Sequence, residues 1–235
     1  MQAIILTGGT GSRLYPLTKL YNKHLVPIND KFIIDYPIST LKKMGITDVV
    51  VVLGGEHFHQ MVKYLQDGSN FGLNVSYVYQ PNPSGIAAAI NLCRNQIHSD
   101  NFVVALGDNI LEHDLTFNPG TYPAQIALYD HPELHRFGVA SVQNNKIINI
   151  EEKPKVLRKD CDNYAIIGYY MFDQQFFNFF QELKPSARGE YEITHILELY
   201  QKHSYLGHVI LDNSKLWSDA GTHQTVKFVS NYFGK

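Results

Sequence analysis

Ala3-Ile4-Ile5-Leu6-Thr7-Gly8-Gly9-Thr10-Gly11-Ser12-Arg13 runs from an apolar segment straight into a glycine-rich turn that ends on a cation. Glycines at positions 8, 9 and 11 let the backbone fold tightly and bring its N–H groups against a bulky anion. Arg13 stands where it can neutralise that anion. The junction therefore reads as a strand feeding a phosphate-cradling loop. Spacing excludes two familiar motifs: no Gly-Lys-Ser/Thr closes the turn, and Leu14 stands where a dinucleotide fingerprint needs its third glycine. A glycine-rich surface turn with a solvated arginine is the alternative the loop alone leaves open.

Outward from this junction, apolar runs alternate with helical patterns. The spacing predicts a strand over 4–6, a helix from about 32 to 44 stopped by Gly45, a strand over 49–53 and a helix over 57–65. A strand over 75–79, a helix over 85–96 and a strand over 102–106 complete a βαβαβαβ series. Such alternation predicts an α/β protein with a doubly wound, mainly parallel mixed sheet. Ligands of these sheets bind beyond the carboxyl ends of the strands, where the Gly8 loop, Gln80 and Asp108 fall. The second half predicts strands over 125–129, 139–142, 147–151 and 164–171, then a helix begun by Asp173 as N-cap. A helix over 192–203, a strand over 205–211 and a terminal helix over 222–232 capped by Thr222 follow. Residues 115–124, with Pro119, Gly120 and Pro123, read as loop. With no linker, repeat or low-complexity tract, residues 1–235 are expected to form one domain, with halves of about 1–115 and 116–235.

Composition agrees. A chain of 235 residues with 44% hydrophobic and 18% charged residues can bury a sizeable core and is not disordered. Its net charge of -2 gives no reason to expect nucleic acid or an anionic membrane as partner, so any attraction for phosphate must be local. Met1-Gln2-Ala3 enters the first strand without a basic leader, no run approaches about 18 apolar residues, and a cytoplasmic protein is expected. Cys93 and Cys161 are too far apart in sequence to suggest a metal or disulfide pattern. His57 with His59, and His131 with His135, lack a third ligand and read as surface or capping groups. Phe176, Phe177, Phe179 and Phe180 read as a helix packed into a core or a subunit interface.

Between Leu14 and Asp35, two prolines and several cations interrupt an apolar stretch, an arrangement suited to wrapping a polyphosphate. Lys23 is the candidate catalytic cation there, against a plain surface lysine. Asp108, one glycine beyond a strand, and Asp219, just ahead of a helix start, are the candidate metal-binding carboxylates. A turn-forming and a capping acid are the alternatives. Gln80 can offer both a donor and an acceptor to a base edge, against merely capping the following turn, and Gly85 allows close backbone approach.

The segment from Leu6 to Thr18, followed by Asn22-Lys23-His24-Leu25-Val26-Pro27, closely resembles the opening signature of the sugar-1-phosphate nucleotidylyltransferases, and among them the glucose-1-phosphate thymidylyltransferases. The resemblance continues through Tyr79-Gln80-Pro81, Leu106-Gly107-Asp108-Asn109 and Arg136-Phe137-Gly138-Val139. It extends to Glu151-Glu152-Lys153-Pro154, Ala187-Arg188-Gly189-Glu190 and Trp217-Ser218-Asp219-Ala220-Gly221. It implies a Rossmann-like fold that joins a nucleoside triphosphate, dTTP, to a hexose 1-phosphate, glucose 1-phosphate. By the same resemblance, Arg13 and Lys23 act on the phosphates, and Asp108 and Asp219 hold Mg²⁺. Leu6, Gly8, Gly9, Thr10, Gly11, Gln80 and Gly85 would bind the nucleotide, and Gly138, Glu152, Lys153 and Ile166 the sugar phosphate. Arg188 and Glu190 would reinforce the sugar wall. A homo-oligomer, dimer or tetramer, is compatible with it. Ser84, Ala88, His24 and Ile167 depart from the commoner residues, which leaves open transfer of UMP or CMP to another phosphorylated or phosphonate substrate. A non-catalytic nucleotide-sugar-binding protein is the remaining alternative. The C-terminal extension that helps form the regulatory nucleotide site of longer relatives has no counterpart in this sequence, so the resemblance does not extend to feedback inhibition.

Overall fold

The computed structural model describes residues 1–234. In chain order the elements are β1 (Gln2–Thr7), β2 (Pro27–Ile28), β3 (Lys31–Phe32), α1 (Asp35–Lys43), β4 (Asp48–Leu53), α2 (Phe58–Leu65) and β5 (Asn74–Tyr79). There follow α3 (Ile86–Asn91), β6 (Asn101–Leu106), β7 (Asn109–Leu111), β8 (Ala124–Tyr129), β9 (Gly138–Gln143) and β10 (Lys146–Glu152). The chain ends with β11 (Asp162–Asp173), α4 (Gln175–Glu182), α5 (Ile193–Lys202), β12 (Leu206–Ile210), β13 (Trp217–Asp219) and α6 (His223–Phe233).

The main sheet runs β10-β9-β11-β6-β1-β4-β5, with β8 on β11 and β12 on β8. From β6 to β5 every pairing is parallel, as the alternation of strand and helix predicts. β1 is buried nearly throughout because it has a parallel partner on each edge and helices on each face. Successive side chains alternate between the faces. Ile4 and Leu6 join the core under α3, α4 and α5, whereas Ala3 and Ile5 join the core under α1 and α2. The phenylalanines of α4 lie in the first of these cores: Phe176, Phe177 and Phe179 are buried, and Phe102, Phe172 and Tyr200 pack against them.

Register decides where the loops meet. Thr7 pairs with Leu53, and Leu53 with Tyr79, so Gly8, Gly54 and Gln80 leave the sheet side by side. Leu6 pairs with Leu106, which brings Gly107 and Asp108 to the same edge. β11 reaches across the junction between the halves: its residues 169–173 pair with β6, and its residues 162–165 with β9. Between them Ile166 to Gly168 have no partner on either strand, and the β8 register breaks over the same stretch. A cleft opens there.

The boundaries differ from expectation in three informative places. α1 starts at Asp35, not Phe32, because Lys31 and Phe32 pair back on Pro27 and Ile28, and the Asp35 carboxylate accepts the Phe32 N–H at 2.8 Å. α3 ends at Asn91, since Cys93, Arg94 and Gln96 bond three residues back and tighten the chain into turns. α4 takes Gln174 as its N-cap. The Asp173 carboxylate still accepts from Gln175 N–H, at 3.1 Å, and from the Tyr200 hydroxyl, at 2.7 Å. Thr222 caps α6 as expected, in a capping box with Thr225. Among the described residues no helix is long and apolar enough to cross a membrane.

Candidate active site

The Gly8 loop is built by close backbone approach. A side chain at Gly8 would meet Gln80 Oε1 at 2.9 Å, and Gly9 and Gly11 adopt φ of +91° and +64°. Leu53-Gly54-Gly55 brings a second glycine pair against the first: a Cβ on Gly54 would lie 3.2 Å from Gly8 Cα. That contribution was missed in the sequence, although two glycines directly after an apolar strand repeat the signal seen at Gly8. The segment after the loop winds through three short 3₁₀ turns, at Ser12–Leu14, Leu17–Lys19 and Lys23–Leu25. The Thr18 hydroxyl donates to Gly11 O at 2.7 Å and fixes the return.

This winding carries Lys23 back to the sheet edge, where its Nζ bonds Asp108 Oδ2 at 2.8 Å. Burial pushes the Asp108 carboxyl up, but the Lys23 charge overcomes it, with hydrogen bonds from Lys23 and Asn109 adding to the effect, and the group is held well below the carboxylate range. His24 is buried beneath the turn, and its Nδ1 lies 3.0 Å from Asn22 Oδ1. Burial, reinforced by the neighbouring Lys23 charge, lowers its pKa to about 3, so at neutral pH it adds no charge.

Asp219 arrives from the far end of the sequence. β13 pairs antiparallel with β7, Asp219 faces Asn109 in the register, and Ala220 N–H donates to Asp108 O at 2.8 Å. Burial raises the Asp219 carboxyl; Arg136 opposes this, the Asp108 charge adds to it, and the net shift is upward. Arg136 Nη2 lies 3.3 and 3.5 Å from the two Asp219 oxygens. Asn109 is the joint of the arrangement. Its Oδ1 accepts from Gly168 N–H at 3.0 Å and from Trp217 Nε1 at 2.8 Å, and its Nδ2 donates to Asp108 at 3.1 Å. It replaces the ladder bond that β11 loses where it parts from its neighbours.

Two cavities flank Asp108. One, of about 260 Å³, is lined by Leu6, Gly8, Gly9, Lys23, Gln80, Gly85 and Asp108, with Glu190 at its rim. The other, of about 480 Å³, is lined by Arg13, Gly138, Glu152, Lys153, Ile166, Asp108 and Asp219. Thr10 instead lines a neighbouring hollow of about 330 Å³ beside Lys19 and Lys23. Gly11 lines none of the three and packs on Lys23 and Thr18. Gly85 has φ of +102°, and a Cβ there would meet Tyr191 backbone O at 2.5 Å. A Cβ on Gly138 would meet Thr194 at 2.8 Å and Glu152 Oε2 at 3.3 Å. Arg188 ties this wall of the larger cavity together, bonding Glu152 at 3.1 Å and Glu192 at 2.9 Å. Arg136, Asn109 and Trp217 lie within the family-like motifs, but no local pattern in the sequence marks them for a role.

Among the described residues no three His, Cys, Asp or Glu side chains cluster to hold a metal by themselves. Two carboxylates, Asp219 at the end of β13 and Asp108 one residue ahead of its partner β7, both lining the 480 Å³ cavity, are nevertheless a donor set for a hard divalent cation that keeps waters and takes substrate phosphate oxygens. The candidate histidines are used otherwise: His57 Nε2 bonds Lys19 O at 3.0 Å, and His131 packs on Phe137 and Trp217.

The profile of the nucleotidyl transferase family matches residues 2–232. The chain belongs to that family. Among nucleotidyl transferases, it is 37% identical over 240 residues to the glucose-1-phosphate thymidylyltransferase of Neisseria meningitidis, covering 99% of this chain and 82% of the relative. A crystal structure assigned as a glucose-1-phosphate thymidylyltransferase from Bacillus anthracis, in complex with sucrose, superposes with a TM-score of 0.89 at 41% identity, over 99% of this chain and 94% of the other. A UDP-glucose pyrophosphorylase complexed with UDP-glucose superposes with a TM-score of 0.86 at 23% identity, over 99% of this chain and 98% of that one, and shares the fold. Nucleotidyl transferases typically work with a divalent metal, in keeping with the carboxylate pair.

Proposed function

We propose that this protein joins dTTP and glucose 1-phosphate into a nucleotide sugar with release of pyrophosphate, as a cytoplasmic, Mg²⁺-dependent enzyme working as one domain. The observation that carries the reading is Asp108, which faces both cavities and so marks the place where two bound reactants would meet. The shared name of the Neisseria and Bacillus relatives supports the choice of substrates. The alternative transfer of UMP or CMP has no comparable support.

Both reactants are anions that repel each other, so catalysis is mostly positioning and charge neutralisation. In this reading Leu6, Gly8 and Gly9 of the glycine turn cradle the nucleotide, with Thr10 in the adjoining hollow and Gly11 holding the turn against Lys23 and Thr18, while Gln80 pairs with the pyrimidine edge and Gly85 leaves the ring room against backbone. The Gly138 backbone and Glu152 bind sugar hydroxyls, Ile166 covers the apolar face of the ring, and Lys153 holds the phosphate. A phosphate oxygen of the sugar attacks the α-phosphorus in line. The bond to the bridging oxygen breaks, and pyrophosphate leaves with the electron pair. Arg13 and Lys23 offset the charge on the phosphates. Asp108 and Asp219 would hold Mg²⁺, which when bound supplies further charge neutralisation and orients the triphosphate.

The test is pyrophosphate release from purified protein with Mg²⁺, pairing dTTP, UTP, CTP, ATP and GTP with glucose 1-phosphate and a panel of other sugar phosphates. Fastest release is expected with dTTP and glucose 1-phosphate. Release only with another pair would overturn the substrate assignment, and silence throughout with nucleotide sugar still bound would reduce the protein to a binding role.

A further inference from the structure

Each carboxylate at the centre carries its own cation, but the two pairs are not equivalent. Lys23 sits on Asp108 at 2.8 Å, a full charge-assisted contact. Arg136 reaches Asp219 only at 3.3 and 3.5 Å, well beyond the spacing of a strong charged hydrogen bond. Its other end is firmly placed. Nη1 bonds Glu133 at 2.6 Å, and the guanidinium lies 5.2 Å from the centre of the Phe137 ring, which itself packs edge-on against Trp217. Arg136 is thus anchored on one side and loosely held on the other. It lines the 480 Å³ cavity, together with Gly138 and Lys153, and a further hollow of about 460 Å³ behind Asp219, so the free end has space to turn.

We propose that Arg136 is a further catalytic residue: its Nη2 end, released from Asp219 when the nucleotide complex fills the site, binds a phosphate oxygen of the sugar 1-phosphate. The inference rests on the reaction proposed above. A planar guanidinium suits a phosphate better than an ammonium does, because it can present two donors in a fixed fork. Glu133 holds the pivot, and the Phe137 carbonyl, which accepts Lys153 N–H at 3.0 Å, ties the turn that carries Arg136 to the end of β10, where Lys153 follows.

The test compares Arg136→Met and Arg136→Lys with the unaltered protein. Binding of Mn²⁺ without substrates is followed by electron paramagnetic resonance, and KM for glucose 1-phosphate and kcat are measured at saturating dTTP and metal. For Arg136→Met, Mn²⁺ should bind as tightly as before or more so, since a competing cation is gone. Its kcat/KM for glucose 1-phosphate should fall about 10- to 100-fold, the loss expected of a charged hydrogen bond. The Lys variant should recover part of that loss. If Mn²⁺ affinity instead falls tenfold and the kinetic defect disappears at saturating metal, Arg136 merely positions Asp219 and the proposal is overturned. Unchanged constants overturn it equally. Glu133→Gln keeps the arginine and removes only an exposed anchor, so a native melting curve with KM raised about threefold is expected, and an unchanged KM counts against the pivot. Absence of turnover in the unaltered protein removes the parent reading together with this one, whereas the variants bear on Arg136 alone.

Discussion

Replacing Asn109 with alanine tests whether one buried amide holds the two halves of the centre together. The substitution strips the acceptor from two buried donors, Gly168 N–H and Trp217 Nε1. Each orphaned donor costs about 1–3 kcal/mol, so the pair predicts a loss of about 2–6 kcal/mol. For a chain of this size that lowers the melting temperature by between about 4 and 24 °C. Asn109→Asp separates the roles. The aspartate restores the acceptor and should recover much of the stability, but it deletes the donor to Asp108 and sets a third carboxylate beside the first, so turnover should stay low. Thermal melts followed by circular dichroism, with pyrophosphate release at saturating substrates, measure both. An alanine variant melting within about 1 °C of the parent would refute the reasoning, because it would mean that water or relaxation replaces both bonds at no cost.

Asp108→Asn should lower pyrophosphate release by about a thousandfold or more and leave the protein folded but less stable, since the amide keeps the shape of the turn while Lys23 loses its 2.8 Å partner charge. Gly85→Ala should destabilise the fold by about 1–3 kcal/mol, from strain at φ +102° and the clash with the Tyr191 backbone, and should raise KM for dTTP; urea titration and initial rates measure the two effects. His24 is buried with a pKa lowered to about 3, so between about pH 6.5 and pH 3 the unfolded chain binds a proton that the folded chain refuses. Stability should therefore fall on acidification through that window, and His24→Gln should flatten the melting temperature measured between pH 7 and pH 5.

Much of the fold was legible because its signals are local. The short apolar run at Ala3 to Leu6 and the β-branched valines at 49–52 suit strands buried on both faces, and Thr222 announced the last helix by its capping chemistry. Short pairings were not legible. β7 and β13 have three residues each, lie about a hundred positions apart, and carry no period of their own. Helix ends moved where a side chain outbid the periodic pattern, as the Asp35 carboxylate does at Phe32.

The sequence by itself determined the alternation of strands and helices, the glycine loop, and which charged residues stand at strand ends, since these follow from periodicity, backbone freedom and spacing. Only the tertiary structure decided that Asp219 meets Asp108, that Arg136 leans on Asp219, and that Asn109 bridges Gly168 and Trp217. Those contacts depend on sheet register and on the place where β11 parts from its neighbours. Both are set by the packing of the whole chain, which no local pattern encodes.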